Sequence, residues 1–135
     1  MRPAFFGIVL LLVAPAAAEP AALQAEFTCR PEAAPGRVLC ELRYGVRSGA
    51  RLAWADALVT AAPAFARPLR ARVTPERFKE AGSTPRKVSL AFVATEAGVG
   101  QVTVKARAVV CRGSGDQERC RPESQELRAE LRVGG

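Results

Sequence analysis

The sequence has no histidine. That removes the base of Ser-His-Asp and Cys-His catalysis and the imidazole ligand common to zinc sites. It has no C-x-x-C pair to form half of a cysteine zinc site. No glycine-rich phosphate loop is visible. Aromatic residues make up 6% of the chain, too few to interleave with its basic residues as stacking platforms for single-stranded nucleic acid. No apolar run approaches the roughly 20 residues of a membrane span. There is no run of five or more like charges, no internal repeat and no long linker. The expectation is a chain with no metal, no cofactor, no nucleic-acid partner and no membrane span in its mature part.

The N-terminus is patterned differently from the rest. Arg2 supplies a positive charge, and Ala4 to Ala14 form an apolar run broken only by Gly7. Pro15 ends the run, and Ala16, Ala17 and Ala18 follow. Charged start, apolar centre and small-residue end are the parts of a secretory signal peptide. Residues 1–18 are expected to be cleaved, leaving a mature domain of residues 19–135. The first cysteine is Cys29, far from that junction, so a lipid-modified N-terminus is not expected. The protein reads as exported and soluble, periplasmic or extracellular, and not a lipoprotein.

The mature part has the size of one domain. The formal charge of the whole chain is +7. The arginines stand singly along the chain, so they read mainly as solvated faces, with attraction to an acidic polymer as the functional counterpart. Four cysteines in a short exported chain read as two disulfides.

Apolar residues recur at every second position, the signature of half-buried strands. The series are Leu23-Ala25-Phe27-Cys29, Val38-Cys40-Leu42-Tyr44, Leu52-Trp54-Leu58, Leu69-Ala71-Val73, Val88-Leu90-Phe92, Val102 to Val110, and Leu127-Ala129-Leu131-Val133. Asp56 interrupts the apolar side of the third, which leaves its register open. Thr74-Pro75 to Gly82 has an N-cap, a proline at the first helical position and a glycine stop, and predicts a short helical crossover. The expected fold class is all-β: an immunoglobulin-like antiparallel β-sandwich of about seven strands with one helical crossover. Phe65 and Phe78 fall in the connections and are expected to plug the ends of the sandwich.

The cysteines allow three pairings. Cys40, Trp54 and Cys111 on the second, third and sixth strands match the immunoglobulin pattern, with Trp54 as core anchor. Strand parity argues otherwise, because Cys111 shares a face with Lys105 and Arg107. Local pairing, Cys29 with Cys40 and Cys111 with Cys120, staples the first and the last hairpins and is the preferred reading. Each ring should contribute about 2–4 kcal/mol in the chain-entropy account.

The stretch from Val102 to Cys111, the polar loop, and then Cys120-Arg121-Pro122-Glu123 resembles the N-terminal periplasmic domain of DsbD-type thiol:disulfide interchange proteins. The resemblance covers about 32 residues and implies an immunoglobulin-like sandwich with a redox-active pair, Cys111 and Cys120, on its final hairpin. It implies a thioredoxin-like partner. Arg112, Arg119 and Arg121 adjoin the pair in sequence and, if close in space, would favour a thiolate.

Three functions follow. The first is a non-catalytic exported module that binds a protein or acidic polymer through its loops or an edge strand. The second is thiol-disulfide exchange at Cys111 and Cys120, the enzymatic alternative. The third is carboxylate chemistry at Asp116, Glu118 and Glu123, where solvation of a turn is the preferred account because no second carboxylate faces them at a recognisable spacing.

Overall fold

The period-two apolar series fold as strands because each can bury one face and leave the other in water. The structure is a computed structural model and describes residues 12–15, 20–74 and 86–135. Most of residues 1–18, expected as a signal peptide, and the expected helical crossover after Thr74, with Phe78, lie outside the described residues. The strands in chain order are β1 (Leu23–Cys29), β2 (Gly36–Val46), β3 (Ala50–Ala61), β4 (Ala66–Pro68), β5 (Arg72–Val73), β6 (Arg86–Ala94), β7 (Gly98–Arg112) and β8 (Arg119–Val133). A short 3₁₀ turn, Gly115–Gln117, lies in the loop between β7 and β8. No helix among the described residues is long and apolar enough to cross a membrane.

The strands form two four-stranded antiparallel sheets, β1-β2-β6-β4 and β5-β3-β7-β8. Setting aside the two-residue β5, this is the strand order of an immunoglobulin-like sandwich, ABED packed on CFG. One expected strand is divided. Leu69, Ala71 and Val73 do not lie on a common strand: the chain leaves the first sheet after β4 and joins the second at β5. Leu69 and Ala71 are exposed, and only Val73 is buried.

The core is unevenly built. The first sheet supplies Phe27, Leu42, Tyr44, Leu90 and Phe92, all buried. The central strands of the second supply small residues, with Ala55 and Ala57 registered against Ala108 and Ala106. Small residues on one layer leave room for bulky ones from the other. Tyr44 is fully buried, and its hydroxyl donates to the Asp56 carbonyl on β3, tying the two sheets together. Burial, with the Asp56 charge adding to it, pushes the Tyr44 hydroxyl far above its usual range, so it stays a donor at any ordinary pH.

At one end, Phe65 packs against the core over two glycines. A Cβ on Gly98 would come within 2.7 Å of the Phe65 ring, and one on Gly100 within 2.6 Å of Pro63 Cβ. The seam between β1 and β8 is closed by side chains. Glu123 Oε1 accepts the N–H groups of Ala22 at 2.8 Å and Leu23 at 2.9 Å. Gln125 Oε1 accepts the Ala25 N–H at 3.1 Å. Edge amides of β1 that would otherwise be open to another chain are thereby occupied.

Candidate functional site

The outer face of the second sheet carries the densest chemistry among the described residues, and a β-bulge puts it there. Leu52 pairs with Val110, but Trp54 pairs with Val109, so Ala53 is an extra residue in β3. An extra residue reverses the facing of everything after it. Ala55 and Ala57 therefore point inward, and Trp54, Asp56 and Leu58 point outward. The expectation of Trp54 as a core anchor is corrected: it is half-buried on the outer face and does not belong to the core.

Trp54 and Asp56 form one cluster with two arginines. Arg107, registered opposite Asp56, donates from Nε to Asp56 Oδ1 at 2.7 Å and from its terminal nitrogen to Oδ2. Arg72 on β5 reaches Asp56 Oδ2 from the other side at 3.1 Å. The Asp56 side chain is 0% exposed, while those of Arg107 and Arg72 are 37% and 54% exposed. A buried carboxylate thus anchors two guanidiniums whose other edges stay wet. Its bond holds the Arg107 guanidinium above its usual range. The Arg107 carbon Cζ lies 6.0 Å from the Trp54 ring centroid, at the outer limit of a cation–π contact. Val109 and Pro122 continue the face, and with Trp54, Lys105 and Arg107 they line an open cleft of about 430 Å³.

The four cysteines pair locally. Cys29 bonds to Cys40 and Cys111 to Cys120, each pair directly opposite in its ladder. Cys111 points to the outer face, yet it is only 3% exposed, whereas Cys120 is exposed. Glu118 Oε1 lies 3.5 Å from Cys120 Sγ and is ion-paired to Arg51, which stands opposite Cys111 on β3. Cys111, Cys120 and Glu118 lie close enough together to suit a metal ion, but two sulfurs bonded to each other offer it no thiolate.

The arginines adjoining the pair in sequence lie on the other side of the hairpin. Arg112 and Arg119 pair with each other, and Arg121 pairs with Val110, so strand alternation sets all three on the face opposite the sulfurs. Arg112 and Arg121 donate to the Pro20 carbonyl, and Arg119 donates to the Glu118 carbonyl. On the disulfide's own face, the cation registered directly opposite Cys111 is Arg51. Of the three acids in the carboxylate reading, Glu123 is committed to the β1 seam and Glu118 to Arg51. The lone acid inside an apolar strand, Asp56, was the local signal of the outer cluster. Its partners lie 51 and 16 residues away and have no local signature.

No family profile and no characterised protein matches the chain. Among solved structures, it is similar to murine CRIg at 16% identity and a TM-score of 0.40, covering 84% of this chain and 97% of that one. It is also similar to AggA, the major subunit of aggregative adherence fimbriae type I from Escherichia coli, at 12% identity and a TM-score of 0.32, covering 84% of this chain and 96% of that one. At these scores neither likeness carries an argument, and the immunoglobulin-like assignment stands on the strand order.

Proposed function

We propose that this chain is an exported, non-catalytic immunoglobulin-like module that binds a protein partner through the outer face of β3, β7 and β8. The observation that carries this reading is the Trp54–Arg107–Asp56 cluster. Tryptophan and arginine are the residues that most often dominate interface energy, above all when already held in place. Here the buried Asp56 fixes Arg107 beside the Trp54 ring before any partner arrives. Val109 and Pro122 add apolar area, and Lys105 and Arg107 select a partner with acidic groups around an apolar centre. Export is supported by the N-terminal pattern and by the two disulfides.

The test is site-specific photo-crosslinking in the expressing cell. A crosslinker at Val109 should give defined adducts, and one at Gln24, on the outer face of the first sheet, should not. Trp54→Ala combined with Lys105→Glu, which leaves the Asp56–Arg107 pair in place, should abolish the Val109 adducts while the protein stays folded. Equal adduct patterns at the two positions would show that the face has no selectivity.

A second reading is thiol-disulfide exchange, which the resemblance to the DsbD N-terminal domain implies. It is favoured by the exposure of Cys120. A partner thiolate would attack Cys120, break the bond to Cys111 and leave the electron pair on Cys111. The partner's second thiolate would then attack the mixed disulfide, leaving the partner oxidised and this pair reduced. A reduction potential well above about −300 mV for Cys111–Cys120 alone would favour this reading, and a lower one would end it.

A further inference from the structure

The chain leaves the first sheet early. β4 pairs with β6 through Ala66–Ala94, Arg67–Val93 and Pro68–Phe92, and the Leu69 N–H then donates to the Ala91 carbonyl at 2.9 Å. After Leu69 the chain crosses to the second sheet, where Arg72 and Val73 pair with β3. The first half of β6 therefore has β2 on one side and, among the described residues, no strand on the other.

The antiparallel ladder decides which groups face that open side. Backbone groups alternate between the two neighbours of a strand. Ala91 uses its carbonyl toward Leu69, so Ser89 and Lys87, two and four residues earlier, direct their N–H and C=O groups the same way. Val88 and Leu90 lie between them with buried side chains.

This edge is one wall of a cavity of about 470 Å³. Leu69, Arg70 and Val73 form the facing wall, and Arg37 and Glu41 lie at the rim. Glu41 already accepts the Arg43 guanidinium. The remaining charges, Arg37, Arg70 and Lys87, are all positive. The length from Lys87 to Ala91 is about 13 Å, enough for a strand of four or five residues.

We propose that this edge takes up an extended acidic peptide segment of a partner protein by strand addition. The peptide backbone pairs with Lys87 and Ser89. Its alternate side chains divide between the basic rim and the apolar Leu69 and Val73, so the recognised sequence alternates acidic with apolar residues. Main-chain pairing supplies affinity, and the two linings supply selection. The site lies on the sheet opposite Trp54 and does not depend on the reading of that face.

The experiment uses the ¹⁵N-labelled mature protein with both disulfides intact. The probes are a blocked Glu-Val-Glu-Val-Glu-Val peptide and its Lys-Val counterpart. The acidic peptide should shift the Lys87 and Ser89 amide signals saturably and slow their hydrogen exchange, and the basic one should do neither. Ser89→Pro removes a donor on the open side without touching the β2 ladder and should weaken binding roughly tenfold or more. Ser89→Ala keeps that donor and should bind like the parent. Arg70→Glu should weaken binding about fivefold. The proposal is overturned if the Lys87 and Ser89 amides are already protected in the free protein, because the edge is then filled from within. It is also overturned if neither peptide gives a saturable shift up to millimolar concentration, or if both bind equally or ignore Ser89→Pro, which would mark simple charge attraction.

Discussion

Replacing Asp56 with asparagine removes the charge that holds two arginines while keeping the shape of the side chain. The carboxylate is fully buried and accepts Arg107 at Nε–Oδ1 2.7 Å, a second Arg107 nitrogen, and Arg72 at 3.1 Å. Deleting one side of a buried charged hydrogen bond costs about 1.5–3 kcal/mol, and more when the stranded partner cannot reach water. Here the stranded partners are guanidiniums already 37% and 54% exposed, so water takes them back. The substituted amide would also retain one accepting oxygen. The expected loss is therefore near the low end, about 2 kcal/mol of stability. The assay is urea unfolding followed by the fluorescence of Trp54, the chain's only tryptophan, which also reports release of Arg107 from beside the ring. A double-mutant cycle with Arg107→Gln separates this interaction from general damage. A stability change within about 0.5 kcal/mol, the ordinary range for surface substitutions, with no coupling to Arg107, would refute the claim that Asp56 anchors the cluster.

Further outcomes follow from other contacts. Burial pushes the Glu123 carboxyl up, but the Leu23 and Ala22 N–H groups and the Arg121 guanidinium outweigh it and hold the group below its usual range. Its contribution is therefore present above the unfolded carboxylate value near 4.3 and lost as the pH falls through its lower folded value. Stability curves of the parent and Glu123→Gln should differ at pH 7 and converge in acid; a constant gap would sink the assignment. Gly100→Ala forces a methyl onto Pro63 and should cost about 1–3 kcal/mol in denaturant unfolding, whereas an unchanged midpoint would show that this end of the sandwich yields freely. Replacing Cys111 and Cys120 by serine should cost about 2.7 kcal/mol on the chain-entropy account of a ring this size. With the bridges intact, dithiothreitol and alkylation should capture Cys120 before Cys29 and Cys40, because Cys120 is exposed while Cys29 is half-buried and Cys40 buried; the reverse order, read by mass spectrometry, would contradict this.

Local pattern was enough for most strands. Val38-Cys40-Leu42-Tyr44 and Val102 to Val110 bury the faces that their alternation predicts, because a pleated strand has only two faces and the apolar one must go inward. Face parity likewise favoured Cys111–Cys120 over a bridge across the sandwich, and the structure pairs them so. The third strand was not legible. Its apolar series placed Trp54 on the core side, and only pairing with β7 reveals that Ala53 is an extra residue. The break of Leu69 to Val73 between two sheets was hidden for the same reason, since alternation cannot say which sheet a residue joins.

Sequence alone determined the all-β class, the inward faces of the regular strands and the parity that favours local disulfides, because these depend on spacings of a few residues. Tertiary structure alone decided what the outer surface offers. It brought Arg107 and Arg72 onto Asp56, set Glu123 against β1 a hundred residues away, put Arg51 rather than the adjoining arginines on the face of the Cys111–Cys120 bridge, and left the first half of β6 beside a basic groove. Each of these depends on which strand lies beside which and in what register. That choice is made by burial summed over the whole sandwich and leaves no mark in any short stretch of chain.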